Sequence, residues 1–252
     1  RAGDPEATST EPAHWPTVAY DQALRSAFQS DDDQFPDVTR YQLDLTVDLK
    51  EATVLGHQQV DYTNTETVPL DALYLRLFPN TPGYGGEMSV TNLMLDGRRV
   101  EPTREFQGSA LRVPLDPALA PDTRVEMMLD FTLALPTAGD GTDGPKASDG
   151  YRQLGIYEGV VALANAYPII PVYDDEGWNV ELAPSYGDAT FSDSALFDVR
   201  ITAPQTMTLA ASGTCIVAES GTAETTWTCA AAPMRDFNAL LREDYRLEKR
   251  NV

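Results

Sequence analysis

From Tyr41 onward apolar and polar residues alternate: Tyr41, Leu43, Leu45, Val47 and Leu49 are apolar, while Gln42, Asp44, Thr46, Asp48 and Lys50 are polar. A period of two with one apolar side predicts a half-buried β-strand. The same reasoning predicts strands over 55–63 and 73–78, the latter ending at Pro79-Asn80, and over 88–95, which leads into the hairpin signal Asp96-Gly97. A short strand is expected over 110–115, with proline on either side. Val125, Met127, Leu129, Phe131 and Leu133 then alternate with Arg124, Glu126, Met128, Asp130 and Thr132. Phe197, Val199 and Ile201 alternate with Asp198, Arg200 and Thr202, a short strand follows over 207–211, and a last one is expected over 240–247. Strands recurring at near-regular spacing with turn residues between them predict an all-β, antiparallel sandwich. Its one helix, expected over 17–30, sets Val18, Ala19, Leu24, Ala27 and Phe28 near one face and ends at Asp31-Asp32-Asp33.

One stretch breaks the alternation. Residues 155–193 combine a small apolar run, an Asn-Ala-Tyr-Pro step (165–168), the acidic pair Asp174-Asp175 and Trp178. Long connections that are neither strand nor polar linker are where binding groups concentrate. By contrast, 136–150 reads as plain loop. Its Asp140, Asp143 and Asp149 do not follow the spacing of a calcium-binding loop.

Charge narrows the partners. The chain of 252 residues carries 39 acidic and 18 basic side chains, a formal net charge of -21. Such a field repels polyanions, and no Lys/Arg cluster interrupts it, so nucleic acid is excluded as a partner. No apolar run is long enough to cross a membrane as a helix. Residues 1–16 are small, polar and proline-bearing, the composition of a tether, as after a removed export signal or a lipid anchor. An extracellular or cell-envelope location is therefore expected. Cys215 and Cys229 flank a turn-like Glu-Ser-Gly-Thr tetrad, which places them across a hairpin, as a disulfide or as two buried free thiols. With His14 and His57 the only histidines, neither a zinc site nor a nucleophilic triad is supported. Asp174 and Asp175 are adjacent, so in extended chain they point apart and do not form a catalytic carboxylate pair. No catalytic residues and no metal ligands are assigned to this chain.

Four patterns in order carry a resemblance. They are YQLDLTVD (41–48) with GHQQVDYTN (56–64) and LYLRLFPN (73–80); PIIPVYDD (168–175); FDVRITAP (197–204) with AASG (210–213); and PMRDF (233–237). Together they resemble the N-terminal domain of aminopeptidase N-like (gluzincin) zinc metallopeptidases over about residues 38–240. The resemblance implies a saddle-like β-domain over 17–240 that caps an active-site cleft, with 241–252 beginning the connection to a catalytic domain absent from this chain. It places zinc, the catalytic glutamate and the H-E-x-x-H helix in that downstream domain, and no cofactor in this one. The implied partners are the downstream domain and the N-terminus of a peptide substrate.

In that family a Gln or Glu of the first domain holds the substrate's free amino group, a charge-assisted hydrogen bond that fixes the first residue of the peptide. Glu158, ten residues before Pro168, is the candidate for that role, although small apolar residues follow it where the family carries a charged, arginine-bearing run. Tyr157 and Asn165 are further candidates for the cleft wall. A competing reading is a non-catalytic β-sandwich for binding or scaffolding. A carbohydrate-binding module would use exposed aromatics such as Tyr84, Trp178 and Tyr186.

Overall fold

The structure is a computed structural model that describes residues 36–137, 153–182, 190–246 and 248. The expected tether, the helix over 17–30, the aspartates of the 136–150 loop and Tyr186 lie outside these residues.

Seventeen strands form among the described residues: β1 (Arg40–Asp48), β2 (Thr53–Thr63), β3 (Leu70–Arg76), β4 (Glu87–Leu95), β5 (Arg98–Arg99), β6 (Thr103–Glu105), β7 (Ala110–Leu119), β8 (Arg124–Ala134), β9 (Leu154–Tyr157), β10 (Val160–Leu163), β11 (Tyr173–Asp174), β12 (Gly177–Trp178), β13 (Ala195–Pro204), β14 (Thr208–Ala211), β15 (Thr214–Ser220), β16 (Glu224–Met234) and β17 (Ala239–Arg242). Eight of them make one large sheet in the order β15-β16-β13-β1-β2-β8-β4-β5. Within it β1 and β13 run parallel and the other pairs antiparallel. A four-stranded sheet (β14-β17-β10-β9), a three-stranded sheet (β3-β7-β6) and the small β11-β12 hairpin complete the architecture.

The alternation seen in the sequence is the burial pattern of the large sheet. On β1, Tyr41, Leu43, Leu45 and Val47 are buried, and the residues between them are not. These side chains join Val60, Met127, Leu129, Phe131, Phe197, Val199 and Ile201 in one core with Leu73, Leu75 and Val113 of the three-stranded sheet and Val161, Leu163 and Leu241 of the four-stranded sheet. The result is an all-β sandwich. At Gly56 of β2 the facing residue is Phe131, and a Cβ there would lie 2.1 Å from its ring. Glycine is the residue that lets that aromatic lie flat across the neighbouring strand.

The larger departures from the expected strand limits are at β3, β7 and β17. β3 occupies 70–76, ahead of the expected 73–78, because Phe78–Asn80 turns into a short 3-10 segment. β7 continues through Pro114 and Pro117 to Leu119. Its partner β6 reaches only Arg112, so beyond that point one side of β7 is an open edge where proline removes no ladder hydrogen bond. The last strand stops at Arg242 rather than 247, because the chain enters a turn at Glu243 and Asp244.

The anomalous stretch proves to be filling between layers. After the β9–β10 hairpin, residues 165–172 are all buried without forming a strand. Buried backbone outside a ladder must find other partners, and here the sheets supply them. The Pro168 carbonyl accepts from Gln58 Nε2 at 2.9 Å. The Ile170 N–H donates to the Tyr41 hydroxyl at 3.0 Å. Ile169 and Arg76 exchange both backbone hydrogen bonds, at 2.6 and 3.0 Å. Farther on, Arg76 Nη1 donates to the Glu181 carbonyl and Trp178 Nε1 to that of Ala72.

Cys215 and Cys229 face each other on β15 and β16 and form a disulfide. This decides between the bridged pair and two free thiols. The Cα–Cα separation of 4.0 Å reflects direct cross-strand pairing.

Candidate functional site

The β9–β10 hairpin and the start of the buried stretch carry all three candidate binding residues. The two strands pair with Tyr157 opposite Val160, leaving Glu158 and Gly159 as a two-residue loop. Both have positive φ, 51° and 80°. This pair of left-handed residues is the turn whose twist matches the strands it joins. Glu158 is therefore held at the tip of a tight hairpin, with its side chain exposed. It acts electrostatically on Arg242 of β17, whose guanidinium is held charged first by its hydrogen bond to Asp244 and to a smaller degree by Glu158.

Tyr157 has a structural task. Its ring is buried beside Gly155, where a Cβ would come within 2.8 Å of it, and its hydroxyl donates to the Leu154 carbonyl at 3.0 Å.

Asn165 lies at the other end of β10. Between the hairpin tip and Asn165 runs the whole of β10, four residues that span about 13 Å at roughly 3.3 Å per residue. Glu158 and Asn165 are thus not brought to one point. Asn165 is 2% exposed, with φ of 53°. Its Nδ2 donates to Thr190 Oγ1 at 2.9 Å, and its Oδ1 accepts nothing among the described residues. It lines a pocket of about 640 Å³ together with Gln153, Ser192, Arg235, Asp236 and Asn238. Asn238 Oδ1 is also buried without a partner among the described residues. Two residues that line this pocket thus each keep a buried side-chain oxygen without a partner among the described residues, at a cost in desolvation. The pocket walls are held by Ser192 Oγ donating to the Arg235 carbonyl at 2.7 Å and by the Asn238 N–H donating to Ser212 Oγ at 3.1 Å.

Sequence reasoning missed Asn238, Arg235 and Asp236 as pocket residues. They lie in and just beyond the PMRDF segment, which marked only a boundary. Nothing in their local pattern shows that β17 returns to β10.

Other candidates take structural places. Asp174 Oδ1 accepts the Glu176 N–H at 2.9 Å and so caps the tip of the β11–β12 hairpin, a turn role for the acidic pair. His57 is exposed on β2 with Nδ1 2.8 Å from Asp130 Oδ1. Tyr84 is buried and Trp178 half-buried against Tyr62, Tyr74 and Tyr173, so neither offers a flat face to a sugar. Among the described residues no group of three or more His, Cys, Asp or Glu side chains is placed to hold a metal ion.

No protein-family model matches the sequence, and neither does any curated protein. Solved structures do match. The M1 zinc metallopeptidase from Deinococcus radiodurans superposes with a TM-score of 0.54 at 21% identity, over 82% of this chain and 42% of that one. The chain shares its fold with part of an M1 zinc metallopeptidase. A mutant of the same enzyme bound to a Tyr-Ser-Ala substrate matches with a TM-score of 0.53 at 19% identity, over the same shares of the two chains. A two-domain M1 zinc metallopeptidase mutant bound to L-arginine matches with a TM-score of 0.53 at 20% identity. The chain spans about two fifths of the length of the solved structures it matches.

Proposed function

We propose that this chain is the N-terminal domain of an exported aminopeptidase-like zinc metallopeptidase, which caps the active-site cleft and positions the substrate. The observation that carries the proposal is the fold shared with M1 zinc metallopeptidases over most of this chain but less than half of theirs. A domain of that extent leaves room in the parent polypeptide for a separate catalytic unit. In this reading the zinc would be held by that unit; among the described residues no group of three or more His, Cys, Asp or Glu side chains is placed to hold a metal ion. The disulfide accords with export, because such bonds persist in oxidising compartments.

In this proposal Glu158 presents its carboxylate from a rigid turn to the substrate's ammonium group. Tyr157 fixes the hairpin from behind, and Asn165 borders the polar pocket at its base. The test is a comparison of peptides with free and blocked N-termini in the parent enzyme. Glu158→Ala is expected to raise KM about ten-fold for the free-amine peptide, the loss of one hydrogen bond to a charged group. KM for the N-blocked peptide stays unchanged. Equal effects on both peptides would remove Glu158 from substrate binding.

A further inference from the structure

The edge of a sheet is a row of unpaired N–H and C=O groups, and proteins ordinarily close or blunt it. Most edges of this fold are handled in that way. β5 ends the large sheet with two arginines, Arg98 and Arg99. β6 is three residues long and carries Arg104 and Glu105. The outer side of β3 is met by Ile169 at Arg76, and that of β9 by Thr137 at Ile156. β14 and β15 differ. They end the four-stranded and the eight-stranded sheet, and neither contains a proline, lysine or arginine. Ile216 and Val217 of β15 are moreover 50% and 57% exposed.

Both strands border one groove of about 850 Å³. All four residues of β14 line it, as do Cys215, Ile216 and Val217 in succession. A groove across the face of a strand takes alternate residues, so this one runs along the edge. The backbone agrees. Ser212, continuing the register of β14 with β17, donates its N–H to the Asn238 carbonyl. Antiparallel ladders alternate such groups between the two sides, which turns the N–H and C=O of Leu209 and Ala211 to the open side. Met207, Leu209 and Trp227 add apolar lining, and no charged residue lines the groove. Charge enters where β14 begins. There the Met207 N–H donates to the Pro204 carbonyl, Pro204 lies opposite Glu224, and Thr206 donates to Glu243. Neither glutamate has a cationic partner among the described residues.

We propose that this groove binds an extended apolar peptide segment with a basic residue at one end, which adds to β14 as a fifth strand of the four-stranded sheet. The backbone of Leu209 and Ala211 supplies the hydrogen bonds, Trp227 and Val217 receive the apolar side chains, and Glu224 and Glu243 balance the terminal charge. Strand addition takes its affinity from the main chain and its specificity from such side-chain contacts. Charge decides among occupants. A chain of net charge -21 repels a second copy of itself and favours a basic segment.

The probe is acetyl-Lys-Thr-Val-Thr-Val-Lys-amide, titrated into the 252-residue chain and followed by the backbone amide resonances of β14. Saturable shifts and slowed hydrogen exchange are expected at Leu209 and Ala211. The fully N-methylated peptide, which offers no ladder donor, shows no saturation. The counterpart with glutamate for both lysines binds more weakly, and that difference shrinks in Glu224→Gln. Val217→Lys, a change at an exposed position, lowers the affinity about ten-fold by removing one apolar contact. Near-UV circular dichroism matching that of the unmutated chain shows that the variants are folded. Absence of saturable shifts, equal binding of the N-methylated or the glutamate peptide, unaltered affinity in Val217→Lys, or shifts confined to other strands would each overturn the assignment. So would sedimentation showing a dimer that Val217→Lys dissociates, because the edge would then be closed by a second copy of the chain.

Discussion

Gln58, fully buried on β2, reaches across to Pro168 and donates its side-chain N–H to that carbonyl at 2.9 Å, joining residues 110 positions apart. The large sheet thereby grips a segment that has no ladder of its own. Replacing the donor by an apolar side chain of similar size leaves the Pro168 oxygen buried and unpaired. Gln58→Leu is expected to cost about 1–3 kcal/mol of stability. Urea unfolding checks this as a lower midpoint at unchanged slope.

The disulfide closes a loop of 14 residues between facing strands. The loop-entropy account assigns it about 3 kcal/mol. Intact mass before and after reduction is expected to differ by the two hydrogens of one bridge. Cys215→Ala with Cys229→Ala lowers the unfolding free energy by about that 3 kcal/mol, whereas a folded double variant of undiminished stability would show that the bridge contributes nothing.

Three tyrosines give the fold an alkaline limit. Burial is the first cause that raises the phenols of Tyr41, Tyr62 and Tyr167 above their ordinary value of 10. A group whose folded pKa is raised contributes stability that is fully present below the unfolded value and is lost as pH rises through the folded value. Spectrophotometric titration is expected to leave these phenols protonated past pH 10, with their ionisation appearing only as the chain unfolds.

Asp130 works in the opposite direction. Partial burial acts to raise its pKa, but hydrogen bonds from Asn92 and His57 outweigh that and hold it below 3.8. A depressed carboxyl stabilises above the unfolded value, and its contribution disappears as pH falls through the folded one. The urea midpoint is expected to drop as pH goes below about 4, and Asp130→Asn flattens that drop. An unaltered pH profile in the variant would contradict the assignment.

Much of the sandwich is legible along the chain, and the reason is physical. On β1 each apolar residue is followed by a polar one, and this period of two is the geometry of a strand with one buried face. The Cys pair is legible because a hairpin needs only local turn residues. Residues 165–172 are not legible as an inter-layer filling, because their polar partners Gln58, Tyr41 and Arg76 come from strands far back in the chain. The pocket at Asn165 was half legible. Asn165 stands out in an apolar run, but Asn238 joins it only through the pairing of β10 with β17, with Val161 opposite Leu241. Glu158 was found through a family resemblance, and the turn that holds it follows from the local Glu-Gly pair.

The central claim is tested most directly by purifying the parent polypeptide that contains this domain and measuring its zinc content together with its hydrolysis of peptides bearing a free N-terminus. The account predicts bound zinc and release of the first residue, lost on chelation and restored by added zinc. A full-length protein that binds no zinc and leaves such peptides intact would contradict it.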